Sequence, residues 1–226
     1  MIYQKTKLIN LGTYIDKITQ IMPLIKILKF HNSQIGIWKI NENENKLNLL
    51  KSISNEYHPE VNQYKSKHKK NQVLSTKLLA NKLYPKHELI KNKLGKPILQ
   101  PDNISISISN DQDLIVMMAS NKKCGIDLQT PKKKIHLIQH KFINKNDFSY
   151  NGNIEDLLWT WCAKECMYKI YGVPEIFFKD HLIITRIDEN TLNGQCIHDN
   201  YLFNCQLNKM LFNNCFLVYT SNFEPN

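Results

Sequence analysis

Alternating and continuous runs of apolar residues predict where the strands of this chain lie. Residues 104–109 read Ile-Ser-Ile-Ser-Ile-Ser, an alternation that predicts a strand with one apolar and one hydroxyl-bearing face. Residues 114–119 are continuously apolar, which is typical of a strand buried on both faces. Shorter apolar runs predict strands at 35–40 and 124–128. Antiparallel strands are expected between 177 and 221, where Asn, Asp and Gly turns separate β-branched and aromatic runs.

Helices are predicted where the apolar spacing changes and where breaking residues mark the ends. A lysine-rich stretch at 65–70 leads into an amphipathic helix that ends near Leu83, because Tyr84-Pro85 stops it. A long helix is predicted from 154 to about 171. The remaining predicted helices are a polar one over 41–52 and one that begins at about Ile135.

The order of these elements is strand, helix, strands, and then strand, helix, strands again. This repetition predicts an α+β fold, a pseudo-dimer of two similar lobes in which a small antiparallel sheet packs with a long helix. The lobes are expected to meet near residue 121. The N-terminal lobe then covers 1–121 and the C-terminal lobe 122–226, within one intimate unit.

The long helix carries an acidic residue at a position that its periodicity predicts to be buried. At about 100° per residue, spacings of four and three place these residues on one apolar face: Ile154, Leu158, Trp161, Glu165 and Tyr168. A carboxylate there is unfavourable unless it is paired, protonated or bound to a metal. Lys169 lies one turn further on, so an internal salt bridge is one explanation and a functional site is the other.

Composition narrows the class of protein. Hydrophobic residues make up 42% of the chain and charged residues 22%, which is typical of a soluble globular protein. No apolar run approaches the ~20 residues of a membrane span, and the N-terminus lacks the cleavage site of a signal peptide. The six cysteines lack the CxxC spacing of zinc sites and are expected to be reduced thiols. A cytoplasmic protein is predicted.

The chain is basic, with a formal net charge of +10. Such an excess favours an acidic partner or a phosphorylated ligand through long-range attraction. A nucleic-acid-binding protein is one alternative, because lysines cluster at 65–70 and 132–134. Solvated lysine faces are the commoner explanation for such clusters, and the sequence has neither an aromatic-interleaved RNA motif nor zinc-finger spacing.

Four short motifs follow one another in a specific order. Gly95-Lys96-Pro97 comes first, and the alternating strand at 104–109 second. Gly125-Ile126-Asp127 comes third, and Trp161-x-x-Lys164-Glu165-x-x-x-Lys169 last. The first and third motifs are weak alone, but the order and combined spacing are specific. Over residues 35–187 the pattern resembles the 4'-phosphopantetheinyl transferase superfamily, of the long monomeric type that activates surfactin synthetase.

The resemblance implies two lobes with coenzyme A and Mg²⁺ in the cleft between them. Asp127 and Glu165 would then ligate Mg²⁺ together with the pyrophosphate, and Lys169 would contact phosphate oxygens of coenzyme A. Gln129 is the expected further metal ligand. Hard oxygen ligands suit Mg²⁺, which usually takes one or two carboxylates beside substrate phosphates. A metal ion held by the two acids, together with the lysine, can also neutralise the charge that develops on a transferring phosphoryl group.

The resemblance also implies a nucleotide-binding region. Lys96 and Pro97 of the first motif, with Ser109 and Asn110 at the end of the alternating strand, would lie near the nucleotide and its 3'-phosphate. Lys77 is expected to add a phosphate contact. The implied reaction moves 4'-phosphopantetheine from coenzyme A to a serine of an apo carrier protein. Carrier proteins of this kind are acidic, which suits the positive charge of this chain.

Two positions depart from the family pattern. The family usually has Ser-His where this chain has Ser109-Asn110, and it often has Asp-x-Glu where this chain has Asp127-Leu128-Gln129. Asn110 carries no charge, and Gln129 removes one negative charge from the expected metal site. A catalytically decayed homologue, with weak or no binding of coenzyme A, is therefore a second hypothesis beside an active transferase.

Overall fold

Two antiparallel sheets form the framework of the protein. The computed structural model describes residues 24–40, 61, 63–92, 95–102 and 104–225, so the helix predicted over 41–52 lies outside the described residues. Sheet A consists of β1 (Leu24–Lys29), β2 (Ser33–Lys39), β3 (Glu88–Lys91), β4 (Pro97–Gln100), β5 (Ile104–Asp111) and β6 (Leu114–Ser120). Sheet B consists of β7 (Ile126–Gln129), β8 (Leu182–Arg186), β9 (Thr191–Cys196), β10 (Phe203–Phe212) and β11 (Cys215–Pro225).

Two long helices and three short ones connect the strands in the described residues. The long helices are α1 (Lys67–Leu83) and α3 (Ile154–Tyr171). The short ones are α2 (Ile135–Ile138), a 3₁₀ turn (Gln139–Lys141) and α4 (Phe178–His181). Within the described residues, no helix combines the length and the apolar character that a membrane crossing requires.

The two sheets repeat one topology. In sheet A the strand order is β1-β2-β6-β5-β4-β3, and in sheet B it is β7-β11-β10-β9-β8. In sheet A, β2 precedes α1 and pairs with β6, the last of the four strands that follow the helix. In sheet B, β7 precedes α3 and pairs with β11, again the last of the four following strands. Strand β1 adds an edge to sheet A. This confirms the predicted α+β pseudo-dimer. Sheet A lies within residues 24–120 and sheet B within 126–225, on either side of the predicted boundary.

The sheets face each other, and the long helices cover their outer faces. Alternate residues of β6 explain this layering. Val116 and Met118 belong to the core shared with sheet B, whereas Ile115 and Met117 belong to the core beneath α1. All seven residues of β6 are therefore buried, as the continuous apolar run predicted. A third core lies between α3 and sheet B.

Helix α3 has the predicted bounds because both of its ends are capped. The side chain of Asn153 accepts a hydrogen bond from the backbone N–H of Asp156 at 3.0 Å, and Glu155 and Asp156 favour the N-terminal turn. At the other end Gly172 adopts the left-handed conformation, with φ of 66°. Helix α1 also ends where Tyr84-Pro85 predicted, at Leu83.

The predicted buried stripe of α3 is wrong at most of its positions. Leu158 is buried, but Ile154 is 45% exposed, and Trp161, Glu165 and Tyr168 are only half-buried. The buried face is rotated from the predicted one and contains small, sulfur-containing and even charged side chains. These residues are Leu157, Leu158, Trp159, Thr160, Cys162, Ala163, Lys164, Cys166, Met167 and Ile170. A stripe drawn through Ile154, Trp161 and Tyr168 therefore missed this face.

Two strand limits also differ from the sequence-based prediction. Strand β5 continues through Asn110 and Asp111, beyond the predicted end at Ser109, and the turn itself consists of Gln112 and Asp113. Gln112 has φ of 50°, the left-handed value that a tight hairpin requires. Strand β7 begins at Ile126 and not at Cys124.

Candidate functional site

The hydroxyl-bearing face of β5 contacts the β7 segment and so joins the two lobes. Ser107 Oγ accepts a hydrogen bond from the backbone N–H of Ile126 at 3.0 Å. Two residues further on, Ser109 Oγ donates to Asp127 Oδ1 at 2.7 Å. The alternation of β5 therefore places serine hydroxyls against β7, while Ile106 packs into the core beneath α1.

Asp127 lies at the centre of the site. It is 5% exposed, and its Oδ1 accepts hydrogen bonds from Ser109 Oγ and from Lys169 Nζ, the latter also at 2.7 Å. Lys169 Nζ donates in addition to the carbonyl oxygen of Ile126 at 3.1 Å. The fold thus brings together the acid of the third motif, the lysine of the fourth and a serine of the alternating strand.

Glu165 lies one turn before Lys169 on α3 and is half-buried. Burial raises the pKa of Glu165 above its ordinary value, the negative charge of Asp127 raises this pKa further, and the positive charge of Lys169 lowers it. The coupling to Asp127 indicates that the two carboxyl groups share one electrostatic environment. The two predicted acids are therefore electrostatically coupled.

The glycine of the third motif explains how β7 comes so close to α3. A Cβ at Gly125 would lie 2.0 Å from the carbonyl oxygen of Cys166 and 2.9 Å from its carbonyl carbon. Both atoms belong to the helix backbone, which cannot move aside as a side chain can. Only glycine permits this contact, and Asp127 follows two residues later, next to α3.

A cavity of about 220 Å³ lies between the lobes and is lined in part by Lys169, the partner of Asp127. Sheet A contributes the first motif and part of β5 to its lining, and α3 contributes its last turns. The lining residues are Gly95, Lys96, Pro97, Ile106, Ser107, Ile108, Tyr168, Lys169 and Gly172. The predicted Lys96, Pro97 and Lys169 thus line one cavity.

Lys96 contacts α3 from the opposite lobe. Its Nζ donates to the carbonyl oxygen of Ile170 at 2.5 Å, in the last helical turn, where the helix dipole favours a cation. Burial lowers the pKa of Lys96, Cys124 raises it and the neighbouring Lys123 lowers it. Lys96 and Lys169 therefore place two amino groups at a cavity of the size of a small ligand fragment.

Three predicted site residues are not joined to this cluster. Asn110 is exposed, and strand alternation places it on the face of β5 opposite to Ser109. Lys77 lies on α1, which covers the far side of sheet A from Ser109. Gln129 lies on the same face of β7 as Asp127, but its amide nitrogen donates to Asp111 Oδ2 at 2.6 Å. Their functional roles stay predictions.

The donor chemistry of the site fits a magnesium ion only in a limited way. Within the described ranges, no group of three or more His, Cys, Asp or Glu side chains is placed to hold a metal. Asp127 and Glu165 supply two carboxylates from two elements. Mg²⁺ usually binds one or two carboxylates and takes its other ligands from substrate phosphates and water. The two acids therefore suit a metal that arrives with a phosphorylated ligand.

Sequence reasoning missed the most deeply buried charge of α3. Lys164 is fully buried, and its Nζ lies 2.6 Å from Asp147 Oδ2. The available signal was that Lys164 shares a helix face with Leu157 and Met167, at spacings of seven and three. This pair anchors α3 to neighbouring loops and lies outside the cavity lining.

A larger cavity of about 560 Å³ is formed by residues of the C-terminal lobe alone. His140, Lys145, Lys179 and Asp180 are among its polar lining residues, and most of them are exposed. It lacks the two-lobe lining of the smaller cavity and a lysine that is paired with a buried acid, as Lys169 is with Asp127. We therefore place the candidate site at Asp127 and not in the larger cavity.

No protein-family model matches the chain, and no curated protein shows significant sequence similarity to it.

Proposed function

We propose that the protein transfers the 4'-phosphopantetheine moiety of coenzyme A to a serine of an apo acyl or peptidyl carrier protein. The observation that carries the proposal is the contact of Lys169 with Asp127, which unites the third and fourth motifs. The cavity with Lys96 and Pro97 beside this contact supports it. Six buried free thiols are consistent with a cytoplasmic enzyme, and we propose that it acts as a monomer.

In the proposed reaction, the serine oxygen of the carrier forms a bond to the β-phosphorus of coenzyme A. The bond from that phosphorus to the bridging oxygen breaks, and adenosine 3',5'-bisphosphate leaves. Glu165, directly or through water, accepts the proton of the serine hydroxyl. The raised pKa of Glu165 suits this role, since a general base is most effective when its pKa approaches the working pH.

The remaining residues of the site bind and orient the phosphates. Lys169 and Lys96 neutralise the charge of the phosphate oxygens, and Ser109 holds the carboxylate of Asp127 in a fixed orientation. Asp127 and Glu165 would hold Mg²⁺, with Gln129 as a further predicted oxygen ligand. When bound, the metal supplies electrostatic stabilisation of the charge on the pyrophosphate. The formal net charge of +10 favours capture of an acidic carrier protein.

The test is mass spectrometry of an apo carrier protein after incubation with the protein, coenzyme A and Mg²⁺. The expected result is a carrier that gains one phosphopantetheinyl group on its serine. Glu165→Gln serves as the matched variant, because it keeps the size of the side chain and removes the base. An unmodified carrier with folded wild-type protein would overturn the proposed activity, and equal loading by the variant would overturn the role of Glu165.

A decayed homologue of the same fold is the second candidate function. Two observations favour it: Asn110 is exposed, and the Gln129 amide donates a hydrogen bond to Asp111. Isothermal titration with coenzyme A in the presence of Mg²⁺ separates the two candidates. Micromolar binding supports the transferase, whereas a heat signal equal to that of dilution supports decay.

A further inference from the structure

Lys169 is paired with the carboxylate that the proposed metal ion would use. Its Nζ lies 2.7 Å from Asp127 Oδ1, and Ser109 Oγ donates to the same oxygen at the same distance. Asp127 is thus a carboxylate whose Oδ1 already has a cationic partner supplied by the protein. A divalent ion bound to this group would lie within a few ångströms of the ammonium, and the two cations would repel each other.

We infer that Lys169 competes with the divalent cation for Asp127, and that the phosphates of coenzyme A remove Lys169 from this competition. The inference rests on the proposed function and concerns the order and coupling of binding at the same site. Lys169 also lines the cavity between the lobes, so its amino group is placed between the acid and the expected phosphates. Its side chain is 24% exposed, and the stem of a lysine is flexible enough to swing between the two.

The consequence is positive coupling between the metal and coenzyme A. With phosphates in the cavity, Lys169 gains a stronger anionic partner and releases Asp127, which then becomes available to the metal. Because coupling is reciprocal, the metal must tighten coenzyme A by the same factor by which coenzyme A tightens the metal. Part of this coupling arises from direct phosphate ligation of the ion, and the part that depends on Lys169 is the new element.

Lys96 provides a matched comparison. It lines the same cavity and carries the same charge, but its Nζ contacts the carbonyl oxygen of Ile170 and not a carboxylate. Lys96→Met and Lys169→Met therefore remove equal charge from one cavity, and the second alone removes the cationic partner of Asp127. A difference between them in metal binding reports the competition and not the general electrostatic potential.

The experiment is a titration of the full chain with Mn²⁺, followed by electron paramagnetic resonance at pH 8, with and without coenzyme A. For Lys169→Met we expect the Kd of Mn²⁺ alone to fall about tenfold relative to wild type. We also expect the tightening by coenzyme A to be smaller than in wild type. Lys96→Met is expected to leave the Kd of Mn²⁺ alone within about twofold of wild type and to weaken coenzyme A.

The outcomes separate this inference from the proposed function. If wild type binds both Mn²⁺ and coenzyme A but Lys169→Met does not tighten Mn²⁺ beyond Lys96→Met, the competition is refuted and the proposed function stands. If wild type binds neither, the proposed function itself fails. Circular dichroism checks folding, and Lys169→Gln, which keeps a hydrogen-bond donor without the charge, replaces Lys169→Met if the latter does not fold.

Discussion

Lys164 and Asp147 form an ion pair in which both side chains are fully buried, with 2.6 Å between Nζ and Oδ2. Lys164 Nζ also donates to the carbonyl oxygens of Phe142 at 2.7 Å and Phe178 at 3.0 Å. Asp147 Oδ1 accepts from the backbone N–H of Ile184 at 2.8 Å. The pair therefore ties α3 to a loop, to α4 and to β8. Burial lowers the pKa of Lys164, while Asp147 and Asp180 raise it.

Removal of the lysine charge is expected to destabilise the fold strongly. Lys164→Met leaves Asp147 as an unpaired buried carboxylate, which should lower the free energy of unfolding by roughly 3–5 kcal/mol in urea denaturation. The double variant Lys164→Met with Asp147→Leu removes both charges and should recover most of this loss. A single variant as stable as wild type, or a double variant no better than the single, would contradict the assignment of a tightly coupled pair.

The ends of α3 could be predicted from sequence, but its buried face could not. Asn153 and Gly172 act through local backbone geometry, which a sequence records directly. Which side of the helix faces sheet B depends on partners distant in sequence. From sequence alone, Lys164 is expected to be solvated, because its buried partner Asp147 is not evident. Ile154 is expected to be in the core, although it is exposed.

Gly125→Ala is expected to damage the packing of β7 on α3. The new Cβ would lie 2.0 Å from a backbone oxygen of Cys166, so strand and helix must separate. We expect a loss of about 3 kcal/mol or more in the free energy of unfolding, together with loss of the contact between Asp127 and Lys169.

Gly194→Ala is the matched control for this change. There the new Cβ would meet the sulfur of Met167 at 2.5 Å, and a methionine side chain can shift. Thermal denaturation followed by circular dichroism compares the two variants, and a smaller loss for Gly194→Ala is expected. A Gly125→Ala variant no less stable than Gly194→Ala would show that the clash with the backbone of Cys166 is not the costlier one.

Glu165→Gln should change the pH dependence of stability as well as activity. Burial, and then Asp127, raise the pKa of Glu165 above its ordinary value of 4.5, so the folded protein holds this proton more tightly than the unfolded chain. The resulting stabilisation is fully present below pH 4.5 and is lost as the pH rises through the folded-state pKa. The variant lacks this dependence.

The expected result is a variant that is more stable than wild type at neutral pH, by about 1 kcal/mol or less, since solvent screens a half-buried group. The advantage should shrink as the pH falls toward 4.5, the ordinary pKa of glutamate. Urea denaturation of both proteins across this range measures the difference. If the advantage of the variant instead grew toward low pH, folding would favour the carboxylate, and the pKa of Glu165 would be lowered and not raised.

The motifs of the site could be found in sequence, whereas their contacts required the fold. Strand alternation alone places Ser109 and Asn110 on opposite faces, and it applies to both because β5 extends past its predicted end at Ser109. The hydrogen bond of the Gln129 amide could not be predicted from sequence, because its acceptor, Asp111, lies on a strand of the other sheet. Motif spacing identifies the residues of a site but not which atoms are already engaged.

Ser109→Ala tests whether the hydroxyl face of β5 serves the site or only joins the lobes. Ser109 donates to Asp127, whereas Ser105, on the same face, has its Oγ 3.6 Å from the sulfur of Cys124. Loss of one hydrogen bond to a charged group corresponds to roughly 1.5–3 kcal/mol, so carrier loading by Ser109→Ala should slow by at least about tenfold. Ser105→Ala loses a hydroxyl from the same strand and should retain the wild-type initial rate within about twofold. Equal initial rates for the two variants would leave Ser109 with a purely structural role, because its hydroxyl would then matter to Asp127 no more than that of Ser105 does.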